Sequence, residues 1–406
     1  MTRAQAVDRR RVVFVSYDGV LAGPGRTQTV PYVRGLADRG HAMALVTYED
    51  PQRLEDAERI AAVRAALGDL PWTVVPRRGR SLADLGAGLR ALKHVLAKQQ
   101  AELVHARGYV PGFLARLARV PFVFDMRGFW PDERVDGGLW SRRSFGYWLW
   151  KRIERMLLRR AGSVVTLTER ARDEMHRLDM IPADTPIHVT PTCTDLQRFR
   201  PVKRAARPAA ARTAARRFVM LGGTSTWYLL DPMLDLAARA LARDPTAVLH
   251  VLTEDPPEPI RAGLASRGIE PERVLVRAIP AADVPAWISG AYAALILIRA
   301  CWSKGASCPT KLGELLACEV PVLMNAGIGD VDRLLGGRRV GVTVTDLTEE
   351  AYDAALSGLD ALWQDGASDL RRRCRALAEE QFALEGALDR YEAAYDDAVG
   401  RTSPAS

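Results

Sequence analysis

The segment PTKLGELLACEVPVLMNAGIGD, residues 309–330, carries the most specific chemical pattern in the chain. Lys311 and Glu314 lie three residues apart, so on a helix they share one face. A lysine can neutralise a diphosphate, and a carboxylate can accept hydrogen bonds from two ribose hydroxyls. The same spacing suits an exposed Lys–Glu pair with no ligand, and spacing alone leaves both readings open. A second pattern is GVLAGPGRTQTVPYV, which follows an apolar run and opens a helix. Gly23 and Gly25 would let the backbone approach a ligand closely, and a helix N-terminus there would attract negative charge. A dinucleotide fingerprint is an alternative: Gln28 stands where its third glycine belongs, but Glu49 ends the next apolar run, where such proteins place a ribose-binding acid. A plain tight turn is the third reading.

His105 and Arg107 end another apolar run, and each can either face a ligand or pack inside. Asp132, Glu133 and Asp136 cluster just after Trp130-Pro131, where grouped acids either position a substrate hydroxyl or are solvated loop charges. Between Trp140 and Arg160 aromatic and apolar residues (Trp140, Phe145, Trp148, Trp150, Ile153, Leu157) alternate with basic ones. Such a helix can lie on an anionic membrane, or it can pack an ordinary apolar stripe on a sheet. The histidines and the five cysteines show neither metal-ligand nor CxxC spacing, so no metal and no disulfide framework is expected.

The elements that must position these residues are legible as alternating strands and helices. Apolar runs at 12–17, 42–48, 72–76, 103–106, 122–126, 163–168 and 187–191 are continuous rather than alternating, as parallel strands covered on both faces require. Intervening segments such as 27–39 and 82–98 have helical length and spacing. The pattern breaks at PVKRAARPAAARTAARR and restarts with runs at 218–222, 247–253, 273–279, 293–298, 321–326 and 340–345. The expectation is an α/β chain of two Rossmann-like doubly wound domains facing across a cleft: residues 1–197, a linker at 198–217, a second domain at 218–385, and a C-terminal helix and tail at 386–406, lying on the surface.

Composition sets the outer limits. The 406 residues are 48% hydrophobic and 26% charged, which fits a globular chain of two domains. The net charge of +8 is local: residues 141–160 carry +6 and residues 198–217 carry +8, leaving −6 elsewhere. Local basicity suits phosphates or an anionic membrane surface rather than nucleic acid. No run approaches the roughly 18 apolar residues of a membrane span. A cytoplasmic protein, at most lying at the inner face of the membrane, is expected.

The chain resembles the family 4 glycosyltransferases of the GT-B fold over nearly its whole length. The resemblance rests on SYDG…GPGRTQ, LADRGH (36–41), LVHARGYVPG (103–112), FDMRGFWPDERVDGG (124–138), VVTLTERAR (164–172), PTCTDLQRF (191–199) and SCPTKLGELLACEVPV (307–322). It implies a nucleotide-sugar donor bound mainly by the second domain, an acceptor bound mainly by the first, transfer with retention, and no tightly bound cofactor. Glu314, with Pro309, Thr310 and Lys311 beside it, then falls at the donor ribose and diphosphate. The family's earlier glutamate falls at Ala306, so Ser307 or backbone amides would take its place. The family's Arg and Lys after the second domain's first strand are missing from GGTSTWYLLD, where Gly222, Gly223 and Thr224 would offer amides instead. Arg127 stands where many members have a histidine. Arg127, His105 and Lys311 are thus the candidate catalytic groups, and Arg107, Trp130, Asp132 and Glu133 the acceptor groups. The acceptor would be a glycan, a lipid-linked sugar or a small molecule. A nucleotide-sugar epimerase and a non-catalytic nucleotide binder are the alternatives on the same fold.

Overall fold

The computed structural model describes residues 9–21, 25–79, 82–213 and 215–401. Gly23, one of the expected phosphate-cradling glycines, lies outside them. Each of the thirteen apolar runs forms a strand. β1 (Arg11–Ser16), β2 (Ala42–Glu49), β3 (Trp72–Pro76), β4 (Leu103–Arg107), β5 (Phe122–Asp125), β6 (Ser163–Thr166) and β7 (Ile187–Val189) make one sheet. Its order is β3-β2-β1-β4-β5-β6-β7 and every pairing is parallel. β8 (Arg217–Leu221), β9 (Val248–Leu252), β10 (Val274–Arg277), β11 (Ala293–Ile296), β12 (Val322–Asn325) and β13 (Gly341–Val344) make a second, also all parallel, in the order β10-β9-β8-β11-β12-β13. Parallel neighbours need crossovers, and the helical segments between the runs supply them. The strand order reverses at β1/β4 in one sheet and at β8/β11 in the other, and such switch points are where open α/β sheets bind ligands.

The chain divides into two units, though not at the expected borders. One holds the residues up to Pro191 together with those from Leu384 onward; the other runs from Thr192 to Ala383. The basic stretch 198–217, expected as a linker, is folded into the second unit. Phe199 and Ala211 are buried in that unit's core, and Arg217 begins β8 with its guanidinium donating to the carbonyls of Trp287 and Ser289. Burial lowers Arg217 to about 10. Arginine–carbonyl bonds therefore fix a segment whose composition suggests a tether.

The C-terminal helix differs from expectation in the same way. The helical stretch divides at Ala383, and its second part, Leu384–Gly400, belongs to the first unit. There Leu388, Tyr391 and Tyr395 are buried on one face, while Arg39 pairs with Asp389 and Glu392 on another. Charge on the outer face hid an apolar inner one.

Candidate functional site

In the second unit the expected donor residues converge at the switch point. β8 ends at Leu221, and Gly222 follows with φ of 79°, a conformation that favours glycine. A Cβ on Gly222 would stand 2.5 Å from Lys311 Cε, so the lysine of the helix Thr310–Ala317 lies directly on this turn. Its ammonium is 3.5 Å from the Gly223 carbonyl oxygen and 3.8 Å from the ring centre of Tyr228. Burial lowers Lys311 to about 8, against the pull of Glu314 and Asp255. Burial likewise raises Glu314 to about 7, opposed by Arg198 and Lys311. An exposed surface pair would show neither shift, so the helix turns both groups into a partly desolvated corner. Pro309 caps this helix and Thr310 opens it, while the Ser307 amide donates to Lys304 O, closing the turn before it.

Lys304, Trp227, Tyr228 and Asp255 of this corner were not singled out from sequence. Lys304 is buried with its ammonium 3.8 Å from the Trp227 ring centre. Lysines 304 and 311 thus sit over adjacent aromatics of the WYLLD segment, bringing two cations to a stretch that lacks its own. Asp255, beyond β9, accepts at one oxygen, Oδ2, from both the Thr224 amide (2.6 Å) and the Thr224 hydroxyl (2.8 Å). The Thr224 amide, expected as a phosphate donor, is therefore engaged by a carboxylate of the chain itself. These two bonds hold Asp255 below the usual carboxylate value.

In the first unit a cavity of about 420 Å³ opens at the switch point, lined among others by Tyr17 beyond β1 and by Arg107 at the end of β4. That volume lies within the usual range of small-molecule sites. Arg127, Trp130 and Glu133 line it too. Arg127 holds a positive φ of 61°, unusual for a side-chain-bearing residue and often found at functional sites. Beneath the cavity lies Asp125, fully buried. Its carboxylate meets Arg107 Nη1 at 3.4 Å and Arg127 Nη1 at 3.8 Å, and accepts from Tyr391 OH at 3.2 Å. Although burial alone would raise it, Arg127, His105 and Arg107 hold Asp125 down at about 2. Two guanidiniums thus flank one buried carboxylate. Tyr109, Trp140 and Trp150 form the aromatic wall around Trp130.

Three expected roles in this unit are corrected. His105 is 0% exposed, stacked on Phe14 at 4.0 Å and bonded through Nδ1 to Tyr395 OH at 2.9 Å. Burial lowers its basicity, and it cannot touch a substrate; it positions Asp125 from below. Side chains two apart on a strand share a face, so sequence could not tell covered His105 from Arg107, which reaches the cavity. Asp132 is buried too, but its carboxylate takes the Tyr147 hydroxyl and the Lys151 ammonium, each at 2.9 Å. It ties the helix Trp130–Asp136 to the helix Phe145–Arg160 rather than facing the cavity. Gly25 is glycine because a Cβ would stand 2.0 Å from Gly19 O, a chain-on-chain approach and not one to a ligand.

The dinucleotide alternative falls with them. Glu49 is 1% exposed, and its carboxylate accepts from the amides of Val20 and Leu21. The acid that would hold a ribose is thus spent on the loop itself, and Gln28 accepts from Tyr32 OH. Among the described residues no three His, Cys, Asp or Glu side chains gather in a metal-binding group. On the helix Phe145–Arg160, Phe145 is 73% and Trp148 52% exposed, with Arg152 stacked on Trp148. Lys151 is not part of that exposed basic face, because it pairs with Asp132 and Glu154.

Two doubly wound units, each gathering polar groups at its switch point, are the architecture of the GT-B class of glycosyltransferases. Residues 25–193 match the family described as glycosyl transferase 4-like domain, in line with the resemblance its motifs carry, and the chain as a whole has the GT-B fold. Among solved structures it is similar to sucrose-phosphate synthase from Thermosynechococcus elongatus, with 15% identity, 97% of this chain and 100% of that one covered, and a TM-score of 0.71. HepE from Anabaena, solved in complex with UDP and glucose, gives 14% identity, 96% and 100% coverage, and a TM-score of 0.72. A putative UDP-N-acetylglucosamine 2-epimerase from Listeria monocytogenes gives 14%, 98% and 99%, with a lower TM-score of 0.63. At such identities the likeness is one of fold. No curated protein matches the chain in sequence.

Proposed function

We propose that this protein transfers a sugar from a uridine-diphosphate sugar to a hydroxyl acceptor, with retention of anomeric configuration. The observation that carries the reading is the convergence of Lys311, Glu314 and the 222–224 turn at the β8/β11 switch point. Glu314 accepts from the ribose hydroxyls, and Lys311 offsets the negative charge that grows on the leaving diphosphate. The choice of uridine follows the UDP bound by HepE, a protein of like fold. The cavity of the first unit takes the acceptor. Arg127 and Arg107 present charge at its floor, and the Trp130 wall offers a face on which a sugar ring stacks. No residue is positioned as a covalent nucleophile in this reading; catalysis comes from alignment and charge stabilisation.

The acceptor is a surface glycan or glycolipid, met at an anionic membrane. Support comes from Leu139, Phe145, Trp148 and Leu149, all exposed, beside Arg142, Arg143 and Arg152. The deciding experiment is calorimetry of the full-length protein with UDP, GDP and their glucose conjugates, followed by an acceptor screen with the tightest donor. Failure of every uridine and guanosine nucleotide to bind would end the donor reading. The epimerase alternative is separated by incubation with donor alone, since only an epimerase converts the sugar nucleotide without an acceptor.

A further inference from the structure

The 222–224 turn already holds an anion. Thr224 is buried, and its amide and hydroxyl both point at Asp255 Oδ2, at 2.6 and 2.8 Å. The Asp255 carboxylate also lies 3.8 Å from the position a Cβ would take on Gly223, and Lys311 is close enough to stabilise its charge. A backbone amide, a hydroxyl and a lysine ammonium around one oxyanion form the arrangement that a phosphate oxygen seeks after the first strand of an α/β sheet. Each of the two Thr224 donors has a single hydrogen to give, so the carboxylate and a phosphate oxygen cannot occupy them together.

We propose that Asp255 competes from within for the phosphate position of the donor site and so sets how strongly the site selects for phosphorylated ligands. The inference rests on the donor reading above. Asp255 is only half-buried, so when its bonds are taken over the carboxylate turns to water at modest cost. A ligand carrying a diphosphate replaces both hydrogen bonds and gains Lys311 as a partner. A bare nucleoside replaces neither and leaves Asp255 in place. The site therefore admits a nucleotide by exchange of one anion for another at the Thr224 donors. The exchange also explains how the turn keeps its conformation before donor arrives: the carboxylate satisfies donors that a buried threonine would otherwise leave unpaired.

The test is calorimetric titration of UDP and of uridine into the full-length wild type, Asp255→Asn and Asp255→Ala, with thermal melts to establish folding. The asparagine variant keeps an acceptor for Thr224 and loses the charge; the alanine variant loses both. Both variants are expected to bind UDP about tenfold more tightly, equivalent to about 1.4 kcal/mol, with uridine affinity unchanged. The gain shrinks as salt rises, because it is electrostatic. Unchanged or weaker UDP binding by folded variants, with the wild type still binding UDP, overturns the role of Asp255 and leaves the donor site standing. An equal gain for uridine overturns it as well, since the competition would not be for phosphate. If no form of the protein binds UDP, the donor reading and this inference fall together.

Discussion

Replacing Glu314 by glutamine should make the protein more stable and a poorer nucleotide binder at once. Burial lifts this carboxyl from 4.5 to about 7. A group raised in the folded state is bound to its proton more tightly there, so its contribution is favourable at low pH and is lost as pH rises towards 7. Above that, the ionised side chain costs the fold up to about 3 kcal/mol. Glu314 is partly exposed, and the variant gives up attraction to Arg198 and Lys311, so the net gain at pH 8 should be nearer 1 kcal/mol. For a unit of this size that raises the melting temperature by about 2–4 °C. Below about pH 4 the two proteins should melt together, because Glu314 is then protonated in both the folded and the unfolded state. Against this, a carboxylate that accepts from two ribose hydroxyls is worth about 2 kcal/mol or more over an amide that can place a donor there. UDP affinity should therefore fall about 30-fold. Calorimetry and melting at both pH values read the two effects separately. A variant that binds UDP as wild type does refutes the ribose assignment. A variant less stable at pH 8 refutes the buried-charge argument.

Three further outcomes follow from the same geometry. Arg127→Ala should lower turnover about 100-fold while UDP affinity stays within about threefold, because the arginine lines the other unit's cavity; steady-state kinetics with normal turnover would remove it from the site. UDP affinity of the wild type should rise as pH passes about 7, where Glu314 ionises, and fall above about 8, where Lys311 loses its charge, so a titration from pH 5.5 to 9.5 should be bell-shaped; a flat profile would contradict both shifts. Replacing Arg142, Arg143 and Arg152 by glutamate should abolish sedimentation with anionic liposomes, with wild-type binding weakening as salt rises; equal sedimentation of the two proteins would leave the helix without a membrane role.

The sheets were legible in the sequence because a parallel strand covered on both faces must be continuously apolar, and every such run became a strand. The juxtaposition of Lys311 and Glu314 was legible for a related reason: they are close in sequence, so helical geometry alone puts them together. What sequence could not carry was pairing over long separations. Asp125 is joined by Tyr391, and His105 by Tyr395, from a helix more than 260 residues later. His105 therefore read as a candidate acid or base when it is a packed support. Asp132 misled in the opposite direction: its cluster with Glu133 and Asp136 suggested a polar site, but Lys151 and Tyr147 on the next helix claim it. The linker was misjudged because prolines and alanines hid Arg217, whose carbonyl partners lie some 70 residues onward.

The two units also repeat one device with different consequences. In each sheet an acid at or just beyond the second strand, Glu49 at the end of β2 and Asp255 after β9, caps the loop that follows the first strand. Glu49 is sealed from water and holds two backbone amides, so an entering anion would have to move a buried charge with nowhere to go; that loop is fixed structure. Asp255 reaches solvent and holds a single residue, so its exchange for a phosphate needs only a rotation into water. Burial, not residue type or position, separates the structural carboxylate from the exchangeable one. It also supports the proposed division of the substrates, with the anionic donor in the second unit, where a lysine lies beside the exchangeable acid, and the acceptor in the first unit's cavity, among aromatic faces and the arginines around Asp125.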